Sequence, residues 1–304
     1  MTVNKLYDIF ELLKGRQTKK IIVVCAHDKH TLISISQAAD QNLIRGILIG
    51  NYESILSICK EAGIDSDKFT IINQPSDELA AQIGVAMINQ CEGDILMKGL
   101  ISTDKFMRAI LNKEKGLVES GKIVSHVTLI ENKNYHKLLI VADVAVIPLP
   151  DLNQKIQIIK YLVDVATSLK IAIPKIAVLT PTEQVIPSIV STIDAALLSK
   201  MNERGQIRGC IVEGPLALDV AIDHEAAEIK GLSSSVSGDA DCLLFPNLES
   251  GNIFYKVNTK LAGSESAAIL VGTKIPVVLA SRGDSVQVKL NSIALGVLLS
   301  YEKD

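Results

Sequence analysis

Through the first third of the chain, short apolar runs alternate with segments whose apolar residues recur at helical spacing. Lys20–Ala26, Arg45–Gly50, Phe69–Ile72 and Asp94–Met97 read as buried strands. The intervening segments, one reaching about Asp40, then Tyr52–Ala62, Ser76–Gln90 and a stretch ending near Leu111, read as helices. Gly63 supplies a stop for the second of these, and Pro75 stands just before the third. Strand and helix alternating at these lengths predict βαβ units and a parallel sheet. Ahead of the first strand, Val3, Leu6, Ile9, Phe10 and Leu13 predict an amphipathic helix within Met1–Lys20.

The pattern then changes. His126–Glu131 and His136–Val141 are strand-like runs separated only by Asn132–Tyr135, which predicts an antiparallel hairpin. A long helix is expected from about Asn153 to Leu169. Strands at Lys175–Leu179, Gly209–Glu213 and Asp241–Phe245 follow, with helices over Glu183–Met201 and Glu249–Leu261. Ala267–Val271 and Pro276–Ala280 are the last strands, and a helix begins near Ser285. With no repeat or linker to mark a boundary, topology places it at the turn 132–135, with a return near Ala268. The expected domains are a discontinuous α/β domain I, residues 1–134 and 269–304, and an inserted α/β domain II, residues 135–268. Such an insertion makes a cleft, where small-molecule sites form.

Composition narrows the class. Hydrophobic residues make up 48% of the 304 and aromatics only 4%, so the core must be aliphatic, as in parallel sheets covered on both faces. A net charge of −3 gives no reason to expect a nucleic-acid partner. No secretory signal is read, and the longest apolar run, Leu138–Leu149, is too short for a bilayer and is broken by Asp143. The five cysteines show no CxxC spacing and are expected as buried, reduced thiols of a cytoplasmic protein.

Four stretches could carry chemistry. Lys98-Gly99-Leu100-Ile101-Ser102-Thr103 runs from a strand through a glycine turn to a helix capped by Ser102 or Thr103. Its free N–H groups and hydroxyls suit an anion, and Lys98 and Arg108 add positive charge. Ser281-Arg282-Gly283-Asp284 is a polar elbow between a strand and the last helix. Arg282 fits a phosphate or an oxyanion there, and Asp284 or Ser285 can cap the helix. Asp239 and Asp241 lie at a spacing that would put both carboxylates on one strand face, for a metal, a substrate or a plain polar turn. Asn252 follows a strand end and could meet a ligand or serve helix capping. His126 and His136 are expected packed, and His224 solvated. No GxSxG, HExxH, GxGxxG or GxxxxGK[ST] motif occurs.

From about Asp94 to the C-terminus, KGLISTDKFMRAIL, KIVSHVTLIE, HKLLIVADVAVIPLPDLNQKIQII, VEGPLALDVAI, GDADCLLFPNLESGNIFYK and VGTKIPVVLASRGDSVQVKLNSIALG together resemble the phosphate acetyltransferase/butyryltransferase family, most of all its butyryl-transferring branch. The resemblance implies a two-domain three-layer fold like that of isocitrate and isopropylmalate dehydrogenases, in a homodimer. It implies reversible transfer of a short acyl group, butyryl or a branched C4–C5 chain, between coenzyme A and inorganic phosphate. Coenzyme A is then a substrate, and neither a bound cofactor nor a metal is expected. An acetyl-CoA preference, or a metal- and NAD-dependent hydroxyacid dehydrogenase on the same fold, are the alternatives. By the resemblance Ser281 would hydrogen-bond the CoA sulfur and Arg282 would hold phosphate or the oxyanion, with Arg108 matching a family arginine. Two positions depart from the family. Ile123, beside Lys122, stands where a second arginine is expected. Val288 stands where the acetyl-transferring branch has an aspartate proposed as the thiol's base, a role left to Asp284 or to no strong base.

Overall fold

The computed structural model describes residues 3–301, and in it the chain divides into two compact units. One comprises residues 7–124 and the chain from 267 onward; the other comprises residues 125–266 and the segment ending at Leu6.

The first unit begins with helix α1 (Leu6–Leu13), shorter than the amphipathic stretch expected within Met1–Lys20, whose first two residues lie outside the described ones. Strands β1 (Lys19–Val24), β2 (Ile44–Gly50), β3 (Thr70–Asn73) and β4 (Ile95–Lys98) follow. Helices α2 (Lys29–Asp40), α3 (Tyr52–Ala62), α4 (Asp77–Asn89) and α5 (Thr103–Ile110) alternate with them. Strands β10 (Glu265–Val271) and β11 (Val277–Val278) and helix α11 (Val286–Ser300) complete the unit. Its strands run in the order β3-β2-β1-β4-β11-β10. β1 through β4 and β11 are mutually parallel, as alternation predicts, while β10 meets β11 antiparallel because only residues 272–276 join them. Gly63 ends α3 in the left-handed region at φ 66°, where a glycine carries no steric cost. From Lys289 to Ser300 α11 is buried on every side, so its apolar residues need no single stripe.

The second unit holds strands β5 (Ser125–Glu131), β6 (Leu139–Ala142), β7 (Lys175–Leu179), β8 (Ile211–Leu216) and β9 (Cys242–Leu244), in the order β5-β6-β9-β7-β8. β5 and β6 form the expected antiparallel hairpin, and the other pairs are parallel. Because the hairpin keeps both strands together, the division falls at Val124/Ser125 and not within the turn 132–135. Helix α6 (Leu152–Ser168) starts on a capping box built by Asp151 and Gln154.

Several expectations need correction here. Helix α7 spans Val190–Glu203 and not Glu183–Met201. Pro187 lacks an N–H and crowds the preceding turn, so the helix starts after it. Thr192 Oγ accepts from Ile186 N at 2.9 Å and closes the irregular approach. Two short helices, α8 (Leu218–Ile222) and α9 (His224–Ile229), are each too short for a helical period to show in the sequence. Helix α10 covers Leu248–Lys256 and continues as one π-helical turn, Val257–Leu261. Cys91 is exposed and Cys210 partly so, and only Cys25, Cys59 and Cys242 are buried. His126 is buried but His136 is exposed against Asp239, while His224 is exposed as expected.

Candidate active site

The carboxyl ends of β1, β4 and β11 lie side by side, since Val24 pairs with Lys98 and Met97 with Val278. Ligands of open α/β sheets bind at this edge. β4 is an apolar strand whose last residue, Lys98, is 2% exposed, so a four-carbon stem and its ammonium are carried into the interior. Gly99 follows, and its N–H donates to Val24 O at 2.8 Å. A Cβ on Gly99 would stand 2.3 Å from Cys25 O and 2.8 Å from Val24 O, so any other residue would push β4 and β1 apart. Ser102 then caps α5 by accepting from Lys105 N at 3.3 Å, and Thr103, exposed, is the first helical residue. The N–H groups at this helix start present the partial positive charge that holds anions.

β11 leads into the elbow Ser281–Asp284. Ser281 and Arg282 are exposed, and among the described residues neither side chain has a hydrogen-bond or ion-pair partner. Asp284 is buried: its Oδ2 accepts from Ser281 N at 2.7 Å, and its own N–H donates to Ser281 O at 3.1 Å. The carboxylate therefore shapes the elbow from inside. Ser285 caps α11, accepting from Val288 N at 3.2 Å. Val288 itself sits half-buried in the first turn of that helix.

Lys289, also in that first turn, is a functional candidate that the sequence reading passed over. It is 1% exposed and donates to Asp28 Oδ2 at 3.2 Å and to Thr31 Oγ at 3.1 Å. Asp28 caps α2, accepting from Thr31 N at 2.9 Å. Burial works to raise the Asp28 carboxyl, but the Thr31 hydrogen bond and the Lys289 charge outweigh it and hold the carboxyl below the usual range. A signal did exist. Lys289 stands between Val288 and Leu290 and four residues before Ile293 in a mostly apolar helix, where a lysine is out of place.

Charge is concentrated here. Burial first, then the cations Arg282 and Lys289, push Lys98 down to about 8, with Asp28 and Cys25 opposing. Cys25, at φ 55° beyond β1, has its thiol pushed up to about 12 by burial and by Asp77, whose Oδ1 lies 3.4 Å from the sulfur. It is an inert neighbour at neutral pH. Arg108 lies elsewhere: it pairs with Asp104 at 2.7 Å along the exposed face of α5, and no contact joins it to the elbow among the described residues. So Lys98, Gly99, Ser281, Arg282 and Asp284 come together with Lys289 and Asp28, the cap of α5 stands nearby in the chain, and Arg108 faces solvent.

Asn252 belongs to the other unit. Its Nδ2 donates to Val144 O at 3.0 Å and secures the segment after β6. Asp239 and Asp241 lie there too, and lysines occupy both. Asp239 meets Lys175, Lys137 at 2.9 Å and His136 at 2.7 Å, and Asp241 meets Lys137 at 2.8 Å. The pair reads as an ion-pair cluster, and no His/Cys/Asp/Glu group that could hold a metal occurs among the described residues. A metal- and NAD-dependent dehydrogenase is not favoured by such a site.

Fold and site thus define an α/β protein that gathers cations and a hydroxyl at one sheet edge, equipped to hold anionic reactants and to stabilise an oxyanion. The phosphate acetyl/butaryl transferase family profile matches residues 78–297. The phosphate butyryltransferase of Clostridium acetobutylicum is 42% identical over 99% of this chain and 100% of its own. The phosphate acetyltransferase of Thermotoga maritima is 38% identical over 97% and 99%. A branched-chain phosphotransacylase from Enterococcus faecalis V583 superposes with a TM-score of 0.81 at 26% identity, covering 93% of this chain and 99% of that one. The chain belongs to the phosphate acetyl/butyryl transferase family.

Proposed function

We propose that this protein moves a short acyl group, butyryl or a branched C4–C5 chain, reversibly between coenzyme A and inorganic phosphate, giving acyl phosphate and free CoA. The observation that carries this is the exposed guanidinium of Arg282, unpaired among the described residues, beside the buried ammonium of Lys98, in a chain 42% identical over its length to a phosphate butyryltransferase. Arg282 holds the phosphate or the tetrahedral oxyanion, and Ser281 hydrogen-bonds the CoA sulfur. Ser102 and Thr103 present the hydroxyls and N–H groups of the helix start to phosphate oxygens, and Gly99, whose own N–H is held by Val24 O, lets the turn that carries them pass close to β1. Asp284 keeps the elbow in shape. Arg108 is free to turn from Asp104 to a substrate, since an exposed pair of this kind is worth only about 0.5 kcal/mol.

Holding two anionic reactants together and stabilising the new charge accounts for the reaction without a His–Asp relay. CoA enters as substrate, with no resident cofactor or metal. We read the whole as the two-domain three-layer fold of the isocitrate and isopropylmalate dehydrogenases, in a cytoplasmic homodimer. No helix among the described residues is long and apolar enough to cross a membrane.

The test is a panel of C2 to C6 acyl-CoA thioesters incubated with and without phosphate. Thioester loss should require phosphate and be fastest at C4–C5. A maximum at C2 would shift the reading to an acetyl transferase, and no CoA release across the panel would sink it.

A further inference from the structure

Among the described residues Lys98 is a buried cation at this edge that no carboxylate pairs. Among the described residues its ammonium donates to Gly99 O at 3.3 Å and meets no acid at ion-pair distance, whereas Lys289 beside it has Asp28. Burying an ammonium without a counter-ion is costly, and apolar packing would serve a strand end better. Extending the pairing of β4 with β11 by one step sets Lys98 beside Leu279, two residues before Ser281.

We propose that Lys98, rather than serving only as a phosphate anchor, accepts the proton of the CoA thiol and delivers it to the departing phosphate. This rests on the acyl-transfer reading above. In the thioester-forming direction Nζ takes the S–H proton, and the thiolate sulfur bonds to the acyl carbon to give a tetrahedral oxyanion beside Arg282. The oxyanion collapses, the carbon–oxygen bond to phosphate breaks, and the Lys98 ammonium protonates the departing oxygen. The products are thioester, hydrogen phosphate and neutral Lys98. Phosphate attack on the thioester runs through the same steps in reverse.

The neighbours fit this role. Lys98 is faced by Arg282 from the elbow, Lys289 from α11, Asp28 from the start of α2 and Cys25 from the end of β1. With Cys25 neutral and Asp28 held by Thr31 and Lys289, the net field is positive. Together with burial it keeps Lys98 near 8, close to a thiol's ordinary ~8.5, where proton exchange between the two is efficient. Asp284 is committed to Ser281 N, and Asp28 is too acidic to take a thiol proton. His30, exposed with its Nδ1 3.3 Å from Asp284 O, is the competing base and is tested with Lys98.

The decisive measurement uses the unmodified protein. In the thioester-forming direction, kcat/KM for the acyl phosphate should show an acid limb near 8. That limb should stay in place when CoA is replaced by an analogue with a more acidic thiol; a limb that follows the thiol overturns the proposal. Lys98→Met and Lys98→Gln, checked for folding by circular dichroism, should lower kcat at pH 7 by ~100-fold or more, the scale of a lost general base. The defect should shrink above about pH 9, where the thiol ionises unaided. Lys98→Arg should stay as slow, because a guanidinium keeps the charge but accepts no proton. His30→Gln should keep the limb. Recovery in Lys98→Arg, a defect equal at all pH values, or a limb lost with His30 would each overturn the assignment. Absence of any phosphate-dependent turnover in the unmodified protein would instead remove the acyl-transfer reading itself.

Discussion

Arg282 and Lys98 are two cations at one sheet edge that differ in exposure and surroundings. Arg282 is exposed, permanently charged and unpaired among the described residues, so it can meet an incoming anion without first breaking an internal bond. Arg282→Ala should therefore lower the turnover of the phosphate-dependent reaction at least ~100-fold, the scale of one lost oxyanion donor. The fold should be unaffected, because the side chain makes no hydrogen bond or ion pair among the described residues. Near-normal turnover in steady-state assays of that variant would show that the oxyanion is held elsewhere. Gly99 is the opposite kind of residue, required by backbone crowding against Cys25 O and Val24 O.

Among elements, α11 and α2 are joined by a lysine and a capping aspartate. Lys289 reaches from the first turn of α11 to the N-cap of α2, so the elbow ahead of α11 is referenced to the end of β1. Lys289 is buried and Asp28 partly so, and breaking such a pair from one side leaves an uncompensated charge and costs about 2 to 3 kcal/mol. Lys289→Met and Asp28→Asn should each destabilise on that scale in urea unfolding. The double variant should lose less than the two single losses combined, with a coupling of about 1 kcal/mol or more. Strictly additive losses would mean that the two side chains do not act as a pair. Strand β11, only two residues long, is held between β4 and β10 and carries the whole elbow, so its placement depends on such cross-links.

In the molecule as a whole, each unit holds an aspartate whose charge is stabilised by basic neighbours. Burial opposes ionisation of Asp239, but hydrogen bonds from Lys175, Lys137 and His136 outweigh it and hold the carboxyl well below its ordinary range. Asp28 is held low in the other unit. A carboxyl more acidic folded than unfolded adds stability that is complete above the unfolded value of ~3.9 and is lost as pH falls through the folded one. The melting temperature should therefore fall below about pH 4, and Asp239→Asn should flatten part of that fall while lowering stability at pH 7. An acid limb unchanged in Asp239→Asn would place the titrating groups elsewhere. Contact between the hairpin strands β5 and β6 also decides where the units divide, which local periodicity at 132–135 could not show.

Periodicity alone determined most elements. Lys175–Leu179 is the strand it predicts, Tyr52–Ala62 with Gly63 is the helix it predicts, and the hairpin follows from two apolar runs with a polar turn between them. These are local properties, carried by spacing, capping and turn residues. The residues of the elbow and of the glycine turn were legible as well, because a strand that stops at polar residues and feeds a helix marks a sheet edge. The tertiary structure decided which of them meet. Lys98 and Arg282 are 184 positions apart, and only the pairing of β4 with β11 makes them neighbours. Lys289 and Asp28 are linked across 261 positions, and Arg108 is turned to Asp104 by a neighbour one helical turn away. Burial and charge set the state of Lys98, and both are sums over surroundings that no single stretch of sequence contains.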